Sequence, residues 1–462
     1  MTKVLFRNQM KPSYNDLEFQ VIDWTAYDAP DTEESDSNSD EEERLLMQRN
    51  KTWKYNIKAY GVDIKGHSIS VNIKNFKPYF FVKVPDKWNK IHLDAFEREI
   101  RNQVGQNSFL RKKHNVSLYK CELVTRKDFY YFTNNKYFKF IKLTFYNKSA
   151  FYEYQKVFKK KLTFTALNTR IDFSKRIYEA SIDPMLRFFH EAGIKPCSWV
   201  KIKKQHCDKN VPAQTRCNID ITCEHTQIHP IEKTSIAPLL VASFDIECTS
   251  CDGSFPSANR KSDEIIQIGT TFHKYGSKDC HIKHIVTLKD CGKIEEGENI
   301  IQESYNTEKE VLIAWAKLIQ ATDPDIITGY NIWGFDSSYI YDRARCIFNK
   351  EKGDYSTTLL EMLSRNLEKP AKFMEKKLSS AALGDNFLKY LDMEGVVQID
   401  LFKLVQKDFN LDSYKLDAVA HKFMGLNKVD LSPKQLFANY HEGTPDKIRE
   451  IAVYCIKDCE LV

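Results

Sequence analysis

The sequence predicts two linked folds: a β-rich mixed α+β region over residues 1–235, and an α/β domain over residues 236–462. Three observations carry this. Residues 53–84 alternate apolar and polar side chains in short runs separated by turn residues, as a β-meander does. From residue 239, apolar strands and 3.6-periodic helices alternate instead. Between the two patterns, Pro230 to Pro238 reads as a linker, which puts the boundary near residue 235.

Taken in order, Phe19–Trp24 predicts a strand. An acidic Ser/Asp/Glu insert over 29–46 follows; residues 31–43 hold eight acids and no base, so they cannot build a core and read as disordered. Lys54–Val62, Ser68–Ile73 and Pro78–Val84 are the three meander strands. Residues 89–106 place Ile91, Leu93, Phe96 and Ile100 on one helical face. Residues 118–165 mix aromatic strands (Tyr130-Tyr131-Phe132, then Phe138–Phe145) with a basic run from Lys156 to Lys161. Lysines interleaved with rings suit single-stranded nucleic acid, although half-buried strand aromatics with lysines outside make the same pattern. A helix over Asp183–Ala192, stopped by Gly193, precedes a strand at Ser198–Ile202.

In the second region the opening strand Leu239–Glu247 is followed by strands at Glu264–Phe272 and His281–Leu288. A helix over 307–321 buries Val311, Leu312, Trp315, Leu318 and Ile319. Asp325–Thr328 is a short strand, and a helix from about Asp336 turns Ile340 and Ala344 inward. The stretch 346–390 includes basic sequence of helical character, with Lys369, Lys372, Lys376 and Lys377. Thr444-Pro445 starts a last helix, Thr as N-cap and Pro in the first turn, with Ile448, Ile451, Ala452, Cys455 and Ile456 as its buried stripe.

At 462 residues the chain is long enough for two cores. No apolar stretch approaches membrane-spanning length and the N-terminus lacks a secretory pattern, so the reading is intracellular, with the 12 cysteines as reduced thiols. Formal net charge is +6 despite the acidic insert, a balance that fits a polyanionic partner or a lysine-rich solvated surface. Cys207, Cys217, Cys223 and His225 offer zinc-ligand types but lack the paired spacing, so the cysteines read as small apolar residues, and Cys248 and Cys251 make a single C-x2-C without a second pair.

Asp245 and Glu247 project to the same face of the opening strand. Two adjacent carboxylates repel unless a cation lies between them. Gly329-Tyr330-Asn331-Ile332-Trp333-Gly334-Phe335-Asp336 joins the short strand to its helix, where the helix N-terminus favours an ionised Asp336. On the last helix Tyr454 and Asp458 are one turn apart on one face. Alone, these motifs equally read as a solvated strand pair, an N-cap aspartate and a surface Tyr–Asp pair.

Their order along one chain resembles the 3′-to-5′ exonucleases of the DEDD class, in the version with tyrosine in the last motif. The resemblance narrows further. Phe244–Cys248, Gly253-Ser254-Phe255-Pro256 and Ile265–Gly269 are similar to a family B DNA polymerase. Val397–Asp400, Tyr414–Val419 and Ala452–Asp458, with Gly66-His67-Ser68, Phe76–Phe80 and Tyr178-Glu179-Ala180 upstream, resemble the delta-type replicative members.

This resemblance implies a polymerase N-terminal domain at 1–235 and an RNase H-like (DEDD) exonuclease domain at 236–462. It implies proofreading hydrolysis of DNA, with two Mg2+ ions about 4 Å apart (Mn2+ as a substitute) clamped by Asp245, Glu247, Asp336 and Asp458. Tyr454 orients the nucleophile, Asn331 supports the substrate strand, Phe255 meets a terminal base, and Asp400 supports the site from behind. The expected partners are a single-stranded DNA 3′ end or primer–template, polymerase palm, fingers and thumb in cis or trans, and a sliding clamp. The palm's S-L-Y-P-S and D-T-D segments do not occur in these residues, so synthesis is expected to reside outside them. The place of action is the nucleus or a viral replication site in the cytoplasm. The rival readings are a stand-alone DEDD nuclease acting on RNA or DNA ends, and a non-catalytic DNA-binding assembly piece.

Because residues 31–43 offer no apolar anchor, their deletion is expected to leave the melting temperature and Mg2+-dependent digestion of an oligonucleotide unchanged. Loss of either would show that the segment contributes to the fold.

Overall fold

The computed structural model describes residues 16–30, 53–105, 117–129, 132–159, 161–164, 169–210, 212–277, 279–295, 300–348, 360–380, 384–427 and 430–462. The acidic run 31–43 and Tyr130-Tyr131 lie outside them.

The N-terminal region holds a seven-stranded and a four-stranded sheet. Leu17–Pro30 runs antiparallel to Trp53–Asp63 from Phe19↔Asp63 to Pro30↔Trp53, so the residues flanking 31–52 are side by side. Ala29 and Pro30, assigned to that insert from sequence, belong to the strand, because the ladder continues to the last residue before the acids. Phe19, Val21, Ile57, Ala59, Ile69, Val71, Val200 and Ile221 build this sheet's core against Phe188 and Phe189. The helix carrying those two phenylalanines, Pro184–Ala192, starts at the Asp183 cap and ends at left-handed Gly193. The expected linker is shorter than Pro230–Pro238, since Pro230 and Ile231 pair with Val200 and Trp199. That strand, Ile228–Ile231, is at the sheet's edge, where a proline's missing N–H costs no ladder bond.

The second region is a six-stranded mixed sheet. Its order is Ile300–Tyr305, Ile282–Leu288, Ile265–Lys274, Leu240–Cys248, Ile326–Gly329, Val397–Asp400. The first three strands in sequence are antiparallel and adjacent, and Ile326–Gly329 runs parallel beside the opening strand. Two edge strands escape sequence reading: Ile300–Tyr305 has no fully buried residue, and Val397–Asp400 has only four residues. Helices Glu308–Thr322 and Asp336–Phe348 seal the sheet through Trp315, Leu318, Tyr339 and Ile340. The first begins at a complete Thr307–Glu310 capping box.

Lys372–Ser380 and Gly384–Asp392 form a two-stranded hairpin rather than the basic helical sequence expected within 346–390. The hairpin packs on the core at its base through Phe373 and Leu391, while most of its remaining side chains are at least partly solvated, so its sequence carries no sustained two-residue burial signal. Phe132 also lies outside the strands, which are Leu118–Lys127 and Tyr137–Phe145. Among the described residues no helix is long and apolar enough to cross a membrane.

The last helix, Pro445–Leu461, crosses the sheet at very short range. A Cβ on Gly269 would lie 2.9 Å from Cys455 Sγ and 3.0 Å from Cys459 Sγ. Gln267 Nε2 donates to Ile448 O at 2.9 Å, tying the same strand to the same helix. Gly269→Ala is therefore expected to destabilise the fold by about 1–3 kcal/mol through overpacking. Thermal unfolding checks it, and a variant as stable as the parent would show that the helix can shift outward freely.

Candidate active site

The opening strand Leu240–Cys248 sends Phe244, Ile246 and Cys248 into the core and leaves Asp245 and Glu247 half-buried on the other face. A carboxylate oxygen from each and Cys455 Sγ lie within 4.8 Å of one another, the one such cluster among the described residues. Cys207, Cys217, Cys223 and His225 form no such cluster, and all twelve cysteines are free.

Asp336 reaches the crevice from the next parallel strand's loop. It is the first residue of its helix and is buried, and its Oδ1 accepts the N–H of Ile246, between the two strand acids, at 3.3 Å. Burial pushes its carboxyl up to about 7, against the pull of two backbone N–H groups. Burial first, then the charges of Asp336, Glu247 and Asp458, hold Asp245 well above the usual carboxylate range.

Asp458 and Tyr454 come from the last helix, Asp458 buried and Tyr454 half-buried. Burial, then the charges of Glu247, Asp458 and Asp245, drive the Tyr454 phenol upward, so it keeps its proton at neutral pH. The sequence-predicted residues Asp245, Glu247, Asp336, Tyr454 and Asp458 thus share one electrostatic neighbourhood.

The loop bearing Asp336 is held by Asp400. Its Oδ1 accepts the N–H groups of Asn331 at 2.9 Å and of Phe402 at 3.0 Å, while Oδ2 accepts that of Trp333 at 3.0 Å. Asn331 adopts left-handed φ of 64°, which asparagine tolerates. Its side chain folds back over the turn, where a Cβ on Gly334 would lie 2.3 Å from Asn331 Oδ1.

Phe255 is 76% exposed and meets Phe335 edge-on at 5.3 Å. Arg260 braces its loop, donating to Phe255 O at 2.6 Å and to Asp252 Oδ2 and Asp263 Oδ2 at 2.7 Å each. Behind it, Arg343 Nε donates to Glu308 Oε1 at 2.8 Å in a buried pair that also receives the Ile265 N–H.

Sequence reasoning gave Cys455 only to the buried stripe. Its place beside the strand acids, one residue after Tyr454, follows from the helix's close approach over Gly269. Burial and a hydrogen bond with Cys459 raise its thiol, with the hydrogen bond the larger effect.

A mixed sheet sealed by helices, with carboxylates gathered where its central strand leaves the core, is an RNase H-like exonuclease architecture. Residues 175–419 match the family model "DNA polymerase family B, exonuclease domain", and the chain belongs to that family. Residues 75–152 match "DNA polymerase delta catalytic subunit-like, N-terminal domain".

The DNA polymerase of Pyramimonas orientalis virus is 28% identical, covering 96% of this chain and 49% of its own length. That of Acanthamoeba polyphaga mimivirus is 30% identical, with 89% and 26% covered. The DNA polymerase delta catalytic subunit of Arabidopsis thaliana is 28% identical, with 88% and 36% covered. The chain spans about half or less of these relatives. The solved family B DNA polymerase of Pyrobaculum calidifontis shares the fold at a TM-score of 0.58 and 18% identity, over 96% of this chain and 44% of its own.

The raised Asp336 carboxyl sets a sign for metal-free stability. Between pH 3.8 and about 7 the folded chain holds a proton that the unfolded chain has lost, so stability falls as pH rises. The contribution is up to roughly 4 kcal/mol. In chelator, the parent's melting temperature should drop from pH 5 to pH 8 more than that of Asp336→Asn; parallel curves would contradict this.

Proposed function

We propose that this chain hydrolyses DNA from the 3′ end and is the proofreading part of a replicative DNA polymerase, residues 1–235 being its N-terminal domain and 236–462 its exonuclease domain. The supporting observation is that Asp245, Glu247, Asp336, Asp458 and Tyr454, from a strand, a strand–helix loop and a distant helix, meet in one crevice. Carboxylate oxygens are hard ligands that suit Mg2+ or Mn2+, and mutual repulsion among them is what a divalent ion relieves. Asp245, Glu247, Asp336 and Asp458 would hold two such ions, which when bound supply a water of lowered pKa and stabilise the departing 3′ oxygen.

The chain's own groups define the remaining work. Tyr454 Oη keeps its proton, so it orients a water or a phosphate oxygen by donating to it and does not act as the base. The Asp336 carboxyl, raised to about 7, gives up a proton when a cation binds, which makes cation affinity rise with pH. Asp400 keeps the Asn331–Asp336 turn fixed, so Asp336 arrives at the crevice without a search. Phe255 offers an exposed ring for the terminal base, and Asn331 belongs to the same lip. DNA synthesis, a primer–template partner, further polymerase domains and a sliding clamp extend this reading to the longer proteins that the chain matches.

Asp245→Ala with Glu247→Ala is expected to lower Mg2+-dependent release of mononucleotides from a 5′-labelled strand by roughly 10³-fold or more, while the fold persists. The paired effect should be smaller than the sum of the single ones, since both acids share a ligand. Tyr454→Phe should be milder, roughly 10- to 100-fold. Mg2+ should raise the melting temperature of the parent more than that of the double variant. A folded double variant that digests DNA at the parent's rate would place the site elsewhere.

A further inference from the structure

The short turn at residues 393–396 is gripped from the N-terminal sheet. It joins the hairpin strand Gly384–Asp392 to the edge strand Val397–Asp400. Lys58 and Tyr60 alternate with Ile57 and Ala59 of the N-terminal core, so the first two face away from that core. Gly395, at φ of 82°, lays bare backbone on the Tyr60 ring: a Cβ there would lie 2.7 Å from Tyr60 Cδ1. Its N–H donates to Asp23 Oδ2 at 2.9 Å. Glu394 is 5% exposed, and its Oε1 accepts from Thr25 Oγ1 at 2.5 Å and from Tyr60 Oη at 3.3 Å. Lys369 Nζ lies 3.1 Å from Oε2. Lys58, opposite Thr25 in the ladder and fully buried, adds a positive charge on which Glu394 acts more strongly than any other acid.

The strand after the turn does little to set its own register. Val397–Asp400 is four residues long, lies at the sheet edge and pairs on one side alone, with Ile326–Gly329. Only its last residue, Asp400, is fully buried, so no apolar alternation holds it in place. Yet register decides what Asp400 does. Gly329↔Asp400 brings its carboxylate to the N–H groups of Asn331 and Trp333, whereas a one-residue slip would turn it to the other sheet face.

We propose that the N-terminal sheet positions Asp336. Thr25, Tyr60 and Asp23 hold the turn, the turn sets the register of Val397–Asp400, and Asp400 fixes the loop that ends at Asp336. Thr25 and Tyr60 are then positioning residues for cation binding, although they belong to a different sheet from the acids. The inference rests on reading Asp336 as a cation ligand. Were the seam only adhesive, loosening it would lower stability and leave cation affinity alone.

Calorimetric titration of Mn2+ into the whole chain, without DNA, reads the effect directly. Thr25→Val with Tyr60→Phe keeps both shapes and removes both hydroxyls that Glu394 accepts. This variant should bind Mn2+ about 3- to 10-fold more weakly, the range that one or two lost hydrogen bonds span. Thr25→Ser keeps the hydroxyl and should bind as the parent does. Val71→Ala opens a cavity in the core on the sheet's other face; it should melt earlier and yet bind Mn2+ like the parent. Asp400→Asn should weaken binding on its own, and adding the two seam changes to it should cost little more, because the link is already broken. Digestion of a dT12 strand by the seam variant at low Mg2+ should lose kcat and keep its KM, and excess Mg2+ should restore the rate. If the double seam variant does not fold, Thr25→Val alone decides. Parent-like Mn2+ affinity in the folded seam variant overturns the proposal, as does an equal loss in Val71→Ala or full multiplication of the seam and Asp400→Asn effects. A parent that binds no Mn2+ overturns this proposal and the nuclease reading together. One that binds Mn2+ without digesting DNA counts against the nuclease reading alone.

Discussion

Repulsion among buried carboxylates is the constraint on which the rest of this structure depends. Asp245, Glu247, Asp336 and Asp458 come together in a poorly solvated crevice, where each added negative charge raises the cost of the others. A soft scaffold would relax by moving them apart. This one is fixed from three sides: the Asp336 loop by the three N–H groups that Asp400 accepts, the last helix by contact over Gly269, and the opening strand by hydrogen-bonded neighbours on both edges. Under the proposed function, metal-free stability is thereby exchanged for ligand positions set before any cation arrives.

Fixing the strand requires fixing its beginning. The Leu240 N–H donates to Asp325 Oδ2 at 2.7 Å, and Asp325 Oδ1 accepts from fully buried Arg365, whose Nε also donates to Asp323 Oδ1 at 2.8 Å. Removing one member of such a buried set typically costs about 3–5 kcal/mol, because its partner charge stays behind uncompensated. The set is joined to the N-terminal region as well. Arg216 N–H donates to Arg365 O, and Thr215 bridges Asn366. Farther along the same seam Glu394 accepts from Thr25 at 2.5 Å and from Tyr60 at 3.3 Å. The seven-stranded sheet thus buttresses the strand that carries the acids, through polar groups with little tolerance for misplacement.

Legibility from sequence followed how much of each element's burial is local. The opening strand, the Thr307-capped helix and the Pro445–Leu461 helix show their periodicity within their own residues. Asp245 with Glu247, and Tyr454 with Asp458, could be paired by period alone. That these pairs and Asp336 meet came from family resemblance, since no local pattern says that a helix 200 residues later crosses one strand. The Lys372–Asp392 hairpin and the Ile300–Tyr305 edge were illegible because the first buries little beyond its base and the second has no fully buried residue to impose a pattern. Cys455 does lie in the buried stripe that the helix period gives it; its nearness to the acids was not legible, because it depends on Gly269 letting the helix approach.

The same electrostatics bears on how a polyanion is held at all. A crevice of four carboxylates repels phosphate until cations neutralise it, so little strand affinity can originate there. The chain nevertheless carries a net charge of +6 even with eight acids concentrated in residues 31–43, so its cations lie elsewhere. A site built for hydrolysis gains when substrate is gripped at a distance and the scissile end is left to the metal-dependent groups, because remote binding energy then offsets the cost of bringing phosphate to the acids. Under the proposed function, separating the anionic crevice from cationic surface is the arrangement this constraint favours. In this chain the acids belong to the six-stranded sheet, and the polar seam between the two regions fixes the strand that carries them.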